Sequence, residues 1–390
     1  MQPGDKVHTF NNDLLANPAD LEIVRRLYQP LEHALHHPDL IEWFTTFNDP
    51  ADAAKKESRK WGGLAIALGA LALFLAAGEI MMLLLTGSHW SLAIAGLAAV
   101  CGLASVAIGA FGVLFGERKT RWLHNRFMGE RIRQFHFQSL LVLLPQALAS
   151  GRSDADKSVF DSDRQHLFAQ FRADFEGKVD GQFSNVIGPY GETQFWLPES
   201  QDLSSVADSP EFEVFCRAYL HLRIRHQLGF AEYKLQPDHR VYSNMPMQQA
   251  KILESLSKAG LAWLLIIHGF VLAMVVFTAI VGLTELVLST SPFGISVGAV
   301  ASAVSIAFSL AIIVIAIVTL SAKAYQEGLQ PEREIERYQQ YRSAVQSILE
   351  QFQEADSPRR KLAVMRRMER IAFDEMRNFL ITMYRSSFAL

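Results

Sequence analysis

Four long apolar runs interrupt an otherwise polar chain. Residues 62–86 carry a single charge, Glu79, and residues 90–116, 259–284 and 292–321 contain no Asp, Glu, Lys or Arg. About twenty apolar residues cross a bilayer as a helix, so each run is long enough to span one with some tilt. The pattern predicts an all-α membrane protein with four transmembrane helices in two hairpins, at 62–116 and 259–321. Polar segments at 1–61, 117–258 and 322–390 then form helical extensions.

Two runs carry a further periodicity. In the second, Ala95, Ala98, Gly102, Ser105, Gly109, Gly112 and Gly116 recur at spacings of three and four, which places them on one stripe of a helix. Small residues at that spacing are the usual way membrane helices pack, with pore lining as the alternative. In the fourth, Gly298, Ser302, Ser305 and Ser309 share a more polar face, the better candidate for lining an ion path. Glu79, inside the first run, joins them as a pore candidate, because an ionisable group in lipid is costly and turns to protein or water; a carboxylate reaching the outer interface is the alternative.

The polar segments read as helices with breaks. Residues 1–50 are short helical pieces divided by prolines. From 117 a helix continues the second run, and Trp122, Arg126, Glu130 and Arg133 fall on one of its faces. Residues 151–212 are rich in Gly, Ser and Asp and predict a loop-bearing insertion. Helix returns at 215–234, and two more helices follow the fourth run.

The net charge of −3 is unremarkable, but its distribution is not. Lys55, Lys56, Arg59 and Lys60 precede the first run, Arg118, Lys119 and Arg121 follow the second, Lys251 and Lys258 precede the third, and Lys323 and Arg333 follow the fourth. The turns at 87–89 and 285–291 have neither Lys nor Arg. The positive-inside rule then puts both termini and the middle segment in the cytoplasm. The first 60 residues lack a short apolar core with a cleavage site, so no cleaved leader is expected. Two cysteines predict neither a disulfide framework nor a zinc site.

No phosphate loop, dinucleotide fingerprint, HExxH or nucleophile elbow occurs, so no enzyme activity, cofactor or metal is expected. The Asp-rich stretch 153–163 reads as a solvated loop, and His33, His36 and His37 as surface residues of a helix. Arg223 and Arg225 lie well away from any span. Their guanidinium groups suit phosphate, and Tyr219, Phe230 and Tyr233 could stack bases; structural salt bridges are the other role, and the commoner one for such residues. Arg126 and Arg133 complete this candidate ligand set.

The segments "YLHLRIRHQLGFAEYK" and "AKILESLSKAGLAWLL", followed by a span pair and "EREIERYQQYRSAVQSILEQF", resemble the SLATT superfamily of bacterial two-span effector domains. The helix "RWLHNRFMGERIRQFHFQ" is similar to that family's Trp, Arg and Glu helix. The chain departs from the common pattern by its two hairpins and the 151–212 insertion. The resemblance implies an inner-membrane effector of antiphage defence, forming a pore triggered by a nucleotide or short oligonucleotide from a neighbouring nucleotidyltransferase. Four spans are too few to enclose a polar path easily, so a symmetric homo-oligomer is expected. The main rival is a non-conducting membrane scaffold that recruits protein partners.

Overall fold

The computed structural model describes residues 12–86, 90–109, 117–176, 179–187, 209–237, 245–288 and 297–386. All regular structure among them is helical. The helices are α1 (Pro18–Leu27), α2 (Glu32–Leu35), α3 (Pro38–Thr86), α4 (Trp90–Ala107), α5 (Glu117–Val142), α6 (Leu144–Ala149), α7 (Asp154–Glu176) and α8 (Val179–Ile187). They continue with α9 (Pro210–Tyr219), α10 (His226–Leu235), α11 (Pro246–Leu288), α12 (Val297–Leu329), α13 (Pro331–Glu354) and α14 (Pro358–Arg385). Most prolines among the described residues start helices, since α1, α3, α9, α11, α13 and α14 all open on one. A proline in the first turn loses no hydrogen bond and arrives with a helical φ. Asn17 and Ser209 cap two of these starts by accepting from the backbone N–H of Ala19 and Phe212 at 3.1 and 3.2 Å.

Three helices, α3, α11 and α12, are long and apolar enough to cross a membrane. The second apolar run is described as the shorter helix α4, and residues 110–116 lie outside the described residues. α3 packs along α4, and the small-residue stripe faces it. Ala98 is buried, Ser105 donates to the Ala65 carbonyl at 2.8 Å, and a Cβ on Gly102 would sit 3.7 Å from that of Ala72. A Cβ on Gly109 would meet no described atom of another element within 4 Å, and Gly112 and Gly116 lie outside the described residues. α11 and α12 approach more closely still, because a Cβ at Gly260 would collide with the Thr319 hydroxyl. The two pairs join through α3 and α12, where Ile66, Leu253, Ala322, Ala324 and Leu329 form a small core. Elsewhere Leu97, Val100, Leu103, Leu265, Ile266 and Leu272 stand exposed on the hairpins.

The remaining helices form a polar-surfaced body with two apolar cores. One gathers Phe137, Leu144, Phe160, Tyr219, Val345 and Met365. The other gathers Trp43, Phe127, Phe135, Phe168, Phe175 and Met376. A turn at Asn12–Leu14 wedges between them, with Leu14 buried in the second core and Leu15 in the first. Leu15 adopts φ 57°, a left-handed conformation costing a side-chain-bearing residue about 1–2 kcal/mol, and this turns two successive side chains into different cores.

The insertion differs from its expected loop. Residues 154–176 and 179–187 are helical, and 188–208 lie outside the described residues. The Asp-rich stretch is the start of α7, where Ser153 accepts from the Asp156 N–H at 3.1 Å and donates to its carboxylate at 2.6 Å. Beneath its charges, Phe160, Arg164, Phe168 and Phe175 keep a helical period and are buried. The histidines also differ. His37 is buried against Phe168, ring centres 4.9 Å apart, and burial beside Arg164 pushes its pKa down to about 3.

Candidate functional site

The arginine pair at 223 and 225 lies within a π-helical turn, Leu220–Arg225, between α9 and α10. Arg223 points inward and is 1% exposed. Its Nε and one terminal nitrogen donate to the two oxygens of Glu369 at 2.9 and 2.7 Å, and the guanidinium lies 4.5 Å from the centre of the Phe137 ring. Tyr219 donates to the same carboxylate at 2.6 Å and to the Met365 carbonyl at 3.1 Å. Burial opposes the charge on Arg223, but Glu369 outweighs it and holds the guanidinium above its ordinary pKa; burial and the same carboxylate raise the Tyr219 phenol. The paired-donor geometry anticipated for a phosphate is therefore made with a carboxylate, and neither Arg223 nor Tyr219 offers a face to a ligand. Arg225 is exposed beside a separate shallow cavity shared with Asp13, Asp20, Ile23 and His221.

The other members of the set lie together. Arg126, Arg133 and Tyr233 line a cavity of about 280 Å³ bounded by five helices. α3 contributes Asn48, Asp52 and Lys55; α5 contributes Trp122, Arg126, Glu130 and Arg133; α10 contributes Gln227, Phe230, Tyr233 and Lys234. α13 adds Glu334, Arg337 and Tyr338, and α14 adds Glu375, Met376 and Phe379. All four residues of the α5 face marked out by spacing line it. Arg126 pairs with Glu130 at 2.6 Å, and Arg133 lies 3.8 Å from Glu130 and 3.7 Å from the buried Asp13. Burial alone would raise the Glu130 carboxyl, but Arg126 and Arg133 hold it below the usual range. Arg337 pairs with Glu375, lies 3.8 Å from Glu334, and stacks 4.1 Å from the Tyr338 ring centre and 5.1 Å from that of Phe379. Tyr341, just beneath, donates to Gln227 at 2.9 Å and fixes that amide at the cavity floor.

Lys55, Lys234, Arg337, Tyr338 and Phe379 belong to this cavity without having been marked as ligand residues. Part of their signal is helical spacing, since Asn48, Asp52 and Lys55 recur at four and three, and Glu334 and Arg337 at three. Lys55 also belongs to the basic cluster that precedes the first apolar run, which hides its second role. Among the described residues no group of three His, Cys, Asp or Glu side chains comes together as metal ligands.

The pore candidates are less fully placed. Glu79 is half-buried on α3, and Ser309 is exposed on α12. Gly298, Ser302 and Ser305 fall within α12, but their surroundings lie outside the described residues.

Fold and site together define a class, a helical protein with membrane-length helices and a ligand-sized cavity in its polar body. No particular family can be named, because no family model, curated protein or solved structure matches the chain.

Proposed function

We propose that the chain is a four-span membrane protein with both termini in the cytoplasm, which assembles with copies of itself into an ion-conducting pore controlled by a ligand in the five-helix cavity. One observation carries this reading: the cavity walls belong to helices that run on into the apolar segments. α3 holds Lys55 in the cavity and Glu79 in its apolar part, along one unbroken helix. α5 directly follows the second apolar run, and α13 is joined to α12 through the single residue Gln330, in a left-handed conformation at φ 51°. A ligand can shift an equilibrium only through groups that differ between its states, and a ligand here touches the levers of three spans at once.

The Lys and Arg clusters at the span ends support the orientation. Ser309, exposed in the single chain, supports a path formed between subunits rather than inside one. The cationic, aromatic-walled cavity suits a nucleotide or the end of a short oligonucleotide. The likeness to SLATT effectors supports a role in antiphage defence, with depolarisation and growth arrest as the outcome.

The test is ion flux from purified protein in liposomes with nucleotides added on the side of the polar body. Nucleotide-dependent flux, reduced by Ser309→Leu with assembly intact, is the expected result. Flux absent under every nucleotide overturns the pore and leaves the scaffold.

A further inference from the structure

The cavity is lined by five cations and four carboxylates, and they are not evenly matched. Arg126, Arg133 and Arg337 each have a carboxylate at ion-pair distance, drawn from Glu130, Asp13, Glu334 and Glu375. The fourth lining carboxylate, Asp52, is exposed at the rim. Lys55 and Lys234 have no ion pair among the described residues. They are held by rings instead: the Lys234 ammonium lies 5.5 and 5.7 Å from the ring centres of Phe230 and Tyr233, and that of Lys55 lies 5.9 Å from Trp122. Burial, with repulsion from Arg59, Lys234 and Arg126 set against attraction from Glu334, pushes Lys55 down to about 7; burial likewise lowers Lys234, with Glu334 opposing and Arg126, Arg59 and Arg337 repelling. Two ammonium groups facing one partly open cavity, with Glu334 attracting both but pairing with neither, raise the energy of the empty site, and an anion would lower it.

We propose that Lys55 and Lys234 together dock a phosphate group, carried on a small molecule whose organic part rests against Trp122, Phe230 and Tyr233. The proposal deepens the ligand-controlled reading above, on which it rests for the cavity's role, though the binding itself can be measured without any ion flux. A phosphate dianion matches two lysines in charge where a carboxylate matches one. Lysine takes phosphate as a point charge, so it needs no fixed fork of donors. At about 280 Å³ the cavity is at the small end of ligand sites, with room for one phosphate and one ring system. Lys55 stands about 10 Å along α3 from the apolar run at 62, at 1.5 Å per residue, so the phosphate could come from a soluble molecule or from a phosphomonoester lipid headgroup.

The experiment uses the full chain in nanodiscs and measures affinity by calorimetry. Inorganic pyrophosphate is titrated into protein in phosphatidylcholine discs, then in discs containing one-tenth phosphatidic acid. A soluble source predicts pyrophosphate binding in both; a lipid source predicts binding that phosphatidic acid abolishes by occupying the site. In either case Lys55→Gln with Lys234→Gln should weaken pyrophosphate binding in phosphatidylcholine discs at least tenfold, while Arg360→Gln, on the exposed side of α14, leaves it unchanged. Between pH 6.5 and 8.5 the parent's affinity should decline several-fold relative to that of Lys55→Gln, because binding must restore the proton that Lys55 loses near 7, whereas the ionisation of pyrophosphate acts on both proteins alike. Equal affinity in parent and double variant, or no pyrophosphate binding in phosphatidylcholine discs, overturns the proposal. Thermal unfolding of the double variant at or above the parent's temperature shows that lost binding is not lost folding. If nucleotides drive flux in the double variant as in the parent, the phosphate site fails and the pore stands. If pyrophosphate binds but nothing drives flux, the pore fails and the site stands.

Discussion

Two groups of cations in the same helical body have opposite fates. Arg223 meets Glu369 with both partners almost fully enclosed, at 1% and 0% exposure, and Tyr219 closes the arrangement. Lys55 and Lys234, one cavity away, have rings beside them and no carboxylate at contact among the described residues. A buried cation whose counter-charge is built into the fold is part of the architecture, and removing either member leaves the other stranded. A cation grouped with others and left without that partner is free to answer to something outside the chain.

The sharpest way to break this contrast is Glu369→Ala. It strands the Arg223 guanidinium in an apolar interior and should cost about 3–5 kcal/mol. Chemical denaturation should show this as a lower midpoint at unchanged slope. A loss under about 1 kcal/mol would mean that water reaches the pair, and would erase the distinction between the two groups.

Next in size is Gly260→Val, which tests the hairpins rather than the body. The new side chain meets Thr319 where the helices touch, and overpacking of this kind costs about 1–3 kcal/mol. Thermal unfolding in detergent should fall accordingly, while Gly96→Val, where no described atom lies within 4 Å of the new Cβ, should change it little.

The lysines predict the opposite sign. The pKa of Lys55 is lowered on folding from 10.5 to about 7, so the folded state binds fewer protons than the unfolded one across that interval. This group's contribution therefore destabilises fully below about 7, and the penalty is relieved as pH rises toward 10. Lys55→Met should raise stability at pH 6.5 by about 1–2 kcal/mol and lose most of that advantage by pH 9.5. A destabilised Lys55→Met at pH 6.5 would show that the ammonium already has a counter-charge. The smallest effect belongs to Arg360→Gln, whose exposed pair with Asp356 at 3.1 Å should be worth less than about 0.5 kcal/mol at moderate salt.

How far these groups could be told apart by reading the chain depends on distance along it. The apolar runs announce themselves by length, and three stand as membrane-length helices. The α5 face at 122, 126, 130 and 133 follows from spacing within one helix, and the cavity uses all of it. Arg223 and Glu369 are 146 residues apart, so no local pattern could show that the arginine was already engaged. Arg223 and Arg225 look equivalent in the sequence, yet the π-helical turn buries one and leaves the other in the open. α7 was obscured differently. Its Asp and Ser residues dominate the composition, while the period of Phe160, Phe168 and Phe175 that fixes the helix lies underneath.

The wedge at residues 12–15 bears on the order in which the chain completes itself. Leu14 and Leu15 are synthesised before any helix of the body, but the two cores that receive them both draw on α14, through Leu362 and Met365 in one and Phe373 and Met376 in the other. The turn at 12–15 therefore finds both its seats only once α14, more than 340 residues further along, has joined the body. Long-range closure of this sort comes late and is lost first when the chain is cut short. A chain cut before α14 would lose part of both seats and leave Leu14 and Leu15 open to proteolysis.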